Sequence, residues 1–184
     1  AKPGYVSITA VVLRYTTRIQ REVKGVATNW LALKLPVGEE FPKAPIFVRK
    51  STLRLPHQSS TPVIMIGPGT GLAPFIGFIQ ERQRLKDEGK PIGPTISYFS
   101  FSRDQSEKVY VQHLVQRDGA KLWPLLDDEG GHIYVCGDAR GMAPDVHKAF
   151  VSIAETYGEM DHDAAVAFVK KMESQKRYQA DVWS

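Results

Sequence analysis

Two hydrophobic patterns divide the chain. Residues 5–15, Tyr-Val-Ser-Ile-Thr-Ala-Val-Val-Leu-Arg-Tyr, mix β-branched and aromatic side chains in partial alternation with polar ones. That pattern predicts a half-buried strand in an antiparallel setting. A polar stretch over 16–24 precedes Gly25-Val-Ala-Thr-Asn-Trp-Leu31, and prolines at 36, 42, 45 and 56 keep any helix short. Residues 46–51, Ile-Phe-Val-Arg-Lys-Ser, predict a second strand, so residues 1–60 read as mainly β.

After Pro62 short apolar runs alternate with helical stretches, the pattern of βαβ units on a parallel sheet. Strands are predicted over 63–66, 95–99, 132–136 and 178–182. Helices are predicted over 74–88, over 109–126 in two short pieces, over 143–157 and over 161–172. The third follows from Ala143, Val146, Phe150, Ile153 and Tyr157 recurring every three or four residues, and Asp161 and Asp163 suit the positive end of the fourth. The α/β part therefore spans residues 61–184, with the boundary at Ser59-Ser-Thr-Pro62.

Composition narrows the function without naming it. With 184 residues, 42% hydrophobic and 24% charged, the chain can bury a core, and no apolar run approaches a membrane span. The start has no apolar signal-peptide core, so the chain as given is expected to be soluble. Cys136 is the single cysteine, which excludes an intramolecular disulfide and a cysteine-built zinc cage; no metal site is expected. A net charge of +4, dispersed along the chain, leaves no nucleic-acid footprint.

The chemistry gathers where predicted strands end. Val63-Ile-Met-Ile-Gly-Pro-Gly-Thr-Gly-Leu-Ala-Pro74 is a buried strand that breaks into three glycines and enters a helix. Glycines let backbone approach a phosphate, and the helix start offers unpaired N–H groups. The spacing is neither GxGxxG nor a nucleoside-triphosphatase loop, and taken by itself the turn is equally a tight strand-to-helix connection. A second strand-turn-helix unit, His132-Ile-Tyr-Val-Cys-Gly-Asp-Ala-Arg140, repeats the idea. Gly67, Gly69, Thr70 and Gly71 should therefore face one crevice with Cys136 and Asp138. Between them, Phe101-Ser-Arg-Asp-Gln-Ser-Glu-Lys-Val-Tyr-Val-Gln112 carries the hydroxyl, guanidinium, ammonium and phenol suited to a phosphate monoester, although taken by itself it reads rather as a solvated loop with incidental charges. Trp183, one residue from the end, is either a packed terminal aromatic or a ring that can stack on a flat ligand.

These segments, with Pro45-Ile-Phe-Val-Arg-Lys-Ser51 and the terminal Asp181-Val-Trp-Ser184, together resemble the C-terminal part of the diflavin reductases, specifically the NADPH–cytochrome P-450 reductases rather than nitric oxide synthase. The resemblance spans nearly the whole chain. It implies a ferredoxin-NADP-reductase-like α/β domain that binds NADPH through a parallel sheet, preceded by part of an antiparallel FAD-binding β-barrel. It places Gly25, Val26, Ala27 and Thr28 against the FAD pyrophosphate, and the Gly67, Gly69, Thr70 and Gly71 loop against the NADPH pyrophosphate. Ser102, Arg103, Lys108, Tyr110 and Gln112 would recognise the 2'-phosphate, and Asp138 would line the same crevice. Cys136 and Asp181 would position the nicotinamide, and Trp183 would cover the flavin ring until displaced. The implied activity is electron transfer from NADPH through FAD and FMN to a haem protein such as cytochrome P-450. The implied partners are an FMN domain and that haem acceptor, in a parent flavoprotein anchored on the cytoplasmic side of the endoplasmic reticulum membrane. A non-catalytic NADP(H)-binding fragment or module is the alternative.

Two departures from the family pattern set further expectations. The Arg-x-Tyr-Ser strand that grips the flavin should lie upstream of Ala1, so the chain reads as a fragment without the FMN domain, connecting domain or anchor. In the family a Gly-Cys-Arg turn, a helix and a strand separate the strand over 95–99 from Phe-Ser-Arg, whereas here Tyr98-Phe-Ser-Phe-Ser-Arg103 runs straight through. A sheet does not easily lose an internal crossover. A junction between two separate segments near Phe99-Ser100 is therefore expected over a true deletion.

Overall fold

The computed structural model describes residues 6–38, 40–48, 50–99 and 109–183. They form two compact units, Val6–Lys50 and Ser51–Ser184.

In the larger unit four strands form one parallel sheet in the order β4-β3-β5-β6: β3 is Val63–Ile66, β4 Thr95–Tyr98, β5 His132–Asp138 and β6 Tyr178–Trp183. Successive side chains of a strand point to opposite faces, and the sequence uses this alternation throughout. Ile64, Ile66, Ile133 and Val135 enter one apolar cluster, and Val63, Met65, Tyr134 and Cys136 enter the other. Both faces are covered, so β3 and most of β5 read as continuous apolar runs.

The helix α2, Ala73–Asp87, lies over the second cluster through Phe75 and the partly buried Phe78. The opposite face is covered by α3 (Val111–Arg117), α4 (Gly119–Asp127), α5 (Met142–Tyr157) and α6 (His162–Ser174). The sequence placed these elements within a residue or two, and Asp161 does cap α6, its carboxylate accepting the Ala164 N–H at 2.8 Å. At the amino end of the sheet the buried guanidinium of Arg82 donates to Thr95 Oγ1 and to the carbonyls of Thr61 and Gly93, tying the starts of β3 and β4 to α2.

The smaller unit departs from expectation. Among the described residues its antiparallel pairing amounts to β1 (Arg14–Thr16) with β2 (Glu22–Lys24) and an isolated bridge between Val37 and Glu40, with a helix α1 over Val26–Ala32. The strand predicted over 5–15 is formed only at its last two residues, and the described part of 46–51 is irregular, so "mainly β" does not hold here. The reason is pairing. A two-stranded ribbon is marginal without a packed face, and β-branched residues gain little when nothing covers them. Val6 and Val48 are 70% and 86% exposed.

Candidate functional site

The chain leaves β3 for β4 on one side and then crosses to β5 on the other, so the sheet switches direction between β3 and β5. Ligands on open α/β sheets sit outside the carboxyl ends of the strands at this point. The residues emerging there are Gly67 to Gly71 from β3, Cys136 to Asp138 from β5, and Asp181 to Trp183 from β6.

After β3 the chain turns through a short 3-10 segment, Gly69–Leu72, and enters α2. The Gly67 N–H donates to the Tyr98 carbonyl at 3.1 Å, which pins the start of the turn to the end of β4. Gly71 is pressed against β5, and a Cβ there would collide with the Cys136 carbonyl. Gly69, by contrast, has φ +59° and open space where a Cβ would stand. The turn is therefore packed from below by backbone and open above. A phosphate could approach that open side, because neither Gly69 nor Gly71 presents a side chain to keep it away. Thr70 is half-buried between them.

Across β5 and β6 the parallel register sets Cys136 opposite Asp181 and Asp138 opposite Trp183. Cys136 is buried beside Phe75, Tyr134 and Leu53. Burial, with the Asp181 carboxylate adding to it, pushes its thiol up to about 11, so it is a neutral thiol at physiological pH. Asp181 is exposed. The Trp183 indole is 49% exposed, so it is not a core residue; the end of β6 is held instead by its backbone, the Ala139 N–H donating to the Trp183 carbonyl at 2.9 Å.

The Asp138 carboxylate is turned to its own backbone. Oδ2 accepts the N–H groups of Gly141 and Met142 at 2.6 and 3.2 Å, and these bonds hold it below the usual carboxylate range. It caps the start of α5 and fixes the Gly137-Asp138 turn, a role that the Cys-Gly-Asp motif alone did not disclose.

The 2'-phosphate loop is described only in part: Ser102, Arg103 and Lys108 lie outside the described residues, as does the expected Phe99-Ser100 junction. Tyr110, the residue before α3, is half exposed with its ring edge-on to His113 at 5.8 Å, and Gln112 sits in the first turn of α3, half-buried.

In the smaller unit Gly25 opens α1, with Val26 and Ala27 exposed on its first turn. Thr28 Oγ1 accepts the Leu13 N–H at 3.1 Å, and Asn29 donates to the carbonyls of Leu13 and Gly25. Residues 25–28 are thus a helix start, braced against the residues leading into β1.

An open parallel sheet, helices on both faces and a glycine turn at the switch point define a doubly wound α/β protein. Comparison with known proteins narrows this. No protein-family model matches the chain. It is 49% identical to the NADPH–cytochrome P450 reductase of Cavia porcellus, 48% to that of Drosophila melanogaster and 48% to that of Homo sapiens, over 99% of its own length in each case. The chain is a relative of the NADPH–cytochrome P450 reductases, as its motifs indicated, and spans about 31% of the length of these relatives. The match to the Cavia protein runs over 213 residues, against 184 in this chain, so about 29 positions have no counterpart here.

Proposed function

We propose that this chain is the NADPH-binding, hydride-transferring portion of a diflavin reductase, residues 61–184 forming the NADPH domain and residues 1–60 part of the FAD-binding barrel. The observation that carries the reading is the close backbone approach of the Gly71 turn to Cys136, which sets the glycine turn directly beside the Cys136–Asp181 pair. The name of the relatives, reductases acting on cytochrome P450 with NADPH, supplies the direction of electron flow. In this reading FMN and membrane attachment at the endoplasmic reticulum belong to the parent flavoprotein, and the haem-protein acceptor is its separate partner. Among the described residues no helix is long and apolar enough to cross a membrane.

The residues present fit the nucleotide. Gly67, Gly69, Thr70 and Gly71 would hold its pyrophosphate, while Ser102, Arg103, Lys108, Tyr110 and Gln112 would hold the 2'-phosphate. NADPH, when bound, supplies a hydride and flavin accepts it. Asp181, exposed at the carboxyl end of β6, would offer negative charge to the positive charge that develops on a nicotinamide as hydride leaves. Cys136 beside it stays protonated, so it orients by contact and does not act as a nucleophile. Trp183 is free to cover or uncover a flat ring because its backbone, not its indole, secures the strand. Val26, Ala27 and Thr28 at the start of α1 would hold the FAD pyrophosphate. In this reading the positions that have no counterpart here would fall near Phe99-Ser100.

Titration with 2',5'-ADP beside 5'-AMP tests the reading. The chain should bind 2',5'-ADP at least tenfold more tightly, and Arg103→Ala should remove most of that difference, since a charge-assisted bond is worth roughly 1.5–3 kcal/mol. Equal binding of the two nucleotides, or of neither, would sink it.

A further inference from the structure

The residues joining the two units are fastened to the same strand that carries Asp181 and Trp183. Leu53 is buried among Val63, Met65, Phe75, Tyr134 and Cys136, so the segment after Ser51 is packed beside the proposed site. Arg54 follows, and its backbone is gripped on both sides. Its N–H donates to Gln179 Oε1 at 3.0 Å, and its carbonyl accepts from Gln179 Nε2 at 3.2 Å and from the Tyr134 hydroxyl at 2.6 Å. The same Gln179 amide nitrogen donates to the Lys176 carbonyl at 2.7 Å, which sets the side chain's rotamer from the turn before β6. One side chain thus supplies the donor and the acceptor that a neighbouring strand would supply. Both lone pairs of the Arg54 carbonyl are used.

We infer that Gln179 is a positioning residue for hydride transfer, its amide clasping the Arg54 backbone and so bracing the strand β6 that carries Asp181. The inference rests on the function proposed above. At one end the Arg54 backbone is held from β6 through Gln179 and from β5 through Tyr134. At the other end, Asp181 follows Gln179 by two positions in one extended strand. The clasp therefore braces β6 two positions before the carboxylate proposed to face the nicotinamide. Hydride transfer is sensitive to such indexing, because a displacement of about 1 Å can cost on the order of a hundredfold in rate without weakening binding. Glutamine suits this role because a shorter side chain would not span both backbone groups of Arg54, and an apolar one would leave them unpaired.

The test uses Gln179→Leu and, as a milder variant that leaves the aromatic ring in the core, Tyr134→Phe. In the chain itself, trypsin cleavage after Arg54, followed by mass spectrometry, should accelerate about tenfold in Gln179→Leu and less in Tyr134→Phe, while affinity for 2',5'-ADP stays within twofold of wild type. In the FAD-loaded parent protein, kcat for flavin reduction by NADPH should fall about tenfold in Gln179→Leu at unchanged KM, and Gln179→Glu, which keeps the acceptor for the Arg54 N–H, should recover part of it. Unchanged cleavage shows that the clasp does not hold the segment and overturns the inference. Faster cleavage with unchanged kcat leaves only a structural clasp, and also overturns it. A wild-type chain that binds no 2',5'-ADP removes the proposed function and the positioning role with it, whereas normal 2',5'-ADP binding with either failed arm removes the positioning role alone.

Discussion

Cys136 and Asp181 stand opposite one another in the parallel pairing of β5 and β6, one buried and the other exposed, at the carboxyl edge of the sheet. The carboxylate makes the thiolate harder to form, adding to the larger effect of burial.

The thiol should therefore behave as a protonated, slow-reacting group. Alkylation of Cys136 by iodoacetamide should rise with pH towards a half-point near 11 and remain slow at pH 7–8. Asp181→Asn removes a negative neighbour, so its half-point should move down, not up. Fast alkylation at neutral pH, or an upward move in Asp181→Asn, would contradict the geometry.

The glycine turn makes a prediction with an internal control. Gly71→Ala places a methyl on the Cys136 carbonyl, and forcing the backbones apart should cost about 1–3 kcal/mol, or roughly 2–12 °C in Tm. It should also weaken 2',5'-ADP binding more than tenfold, because the turn itself must move. Gly69→Ala meets no atom and suffers only from its left-handed φ, about 1 kcal/mol. Thermal denaturation and calorimetric titration of the pair separate collision from conformational strain. Equal losses in both would mean that the Gly71 contact is not what shapes the cradle.

How much of this was legible in the sequence differs between the two units for a physical reason. Val63–Ile66 and His132–Asp138 are so apolar that their burial on a sheet with two covered faces could be read directly, and the 3.6-residue period of α5 fixed its apolar face. Residues 46–51 carry equally strand-like chemistry, yet strand formation needs a partner's N–H and C=O groups, and these are not specified by the segment itself. The site was legible as motifs, Gly67 to Gly71 and Cys136 to Asp138, because both follow strands whose ends were readable. Asp138's capping of α5 and Gln179's grip on Arg54 were not. The first depends on turn geometry, and the second joins residues 125 positions apart with no periodic signal.

Acid should strain the joint between β4 and α4. The Asp118 carboxylate accepts from Arg117 Nε at 2.9 Å and from the buried Tyr98 hydroxyl at 3.0 Å; the Arg117 bond is the main cause holding it below the usual carboxylate range. A carboxyl depressed in the folded state stabilises above its unfolded value, near pH 4, and that contribution is lost as pH falls through the folded value. Asp118→Asn should therefore lower Tm at pH 7 and flatten its fall below pH 4. Tyr98→Phe should cost about 1 kcal/mol, some 2–4 °C, at neutral pH. A variant Asp118→Asn with the wild-type slope below pH 4 would assign acid sensitivity elsewhere.

The terminal strand separates holding from chemistry, and this makes its last aromatic testable. The Trp183 carbonyl is bonded to Ala139 and its neighbours pair along β5, while the indole remains half exposed. Trp183→Ala should therefore change Tm by less than about 2 °C, since the ring buries little. If the indole lies on the flavin until a nicotinamide displaces it, its removal should tighten nicotinamide binding and slow release of the oxidised cofactor. NADH should then compete better, because contacts to the 2'-phosphate would no longer be needed to offset displacement of the ring. Asp181→Asn should behave in the opposite manner, lowering the hydride-transfer rate with little change in nucleotide affinity, as expected of an interaction made mainly in the transition state. Stopped-flow flavin reduction in the FAD-loaded parent protein, with NADPH and NADH compared for each variant, reads both. An unchanged NADH preference in Trp183→Ala would take the lid role away from the indole, and a loss of affinity in Asp181→Asn equal to its loss of rate would make that carboxylate a ground-state contact.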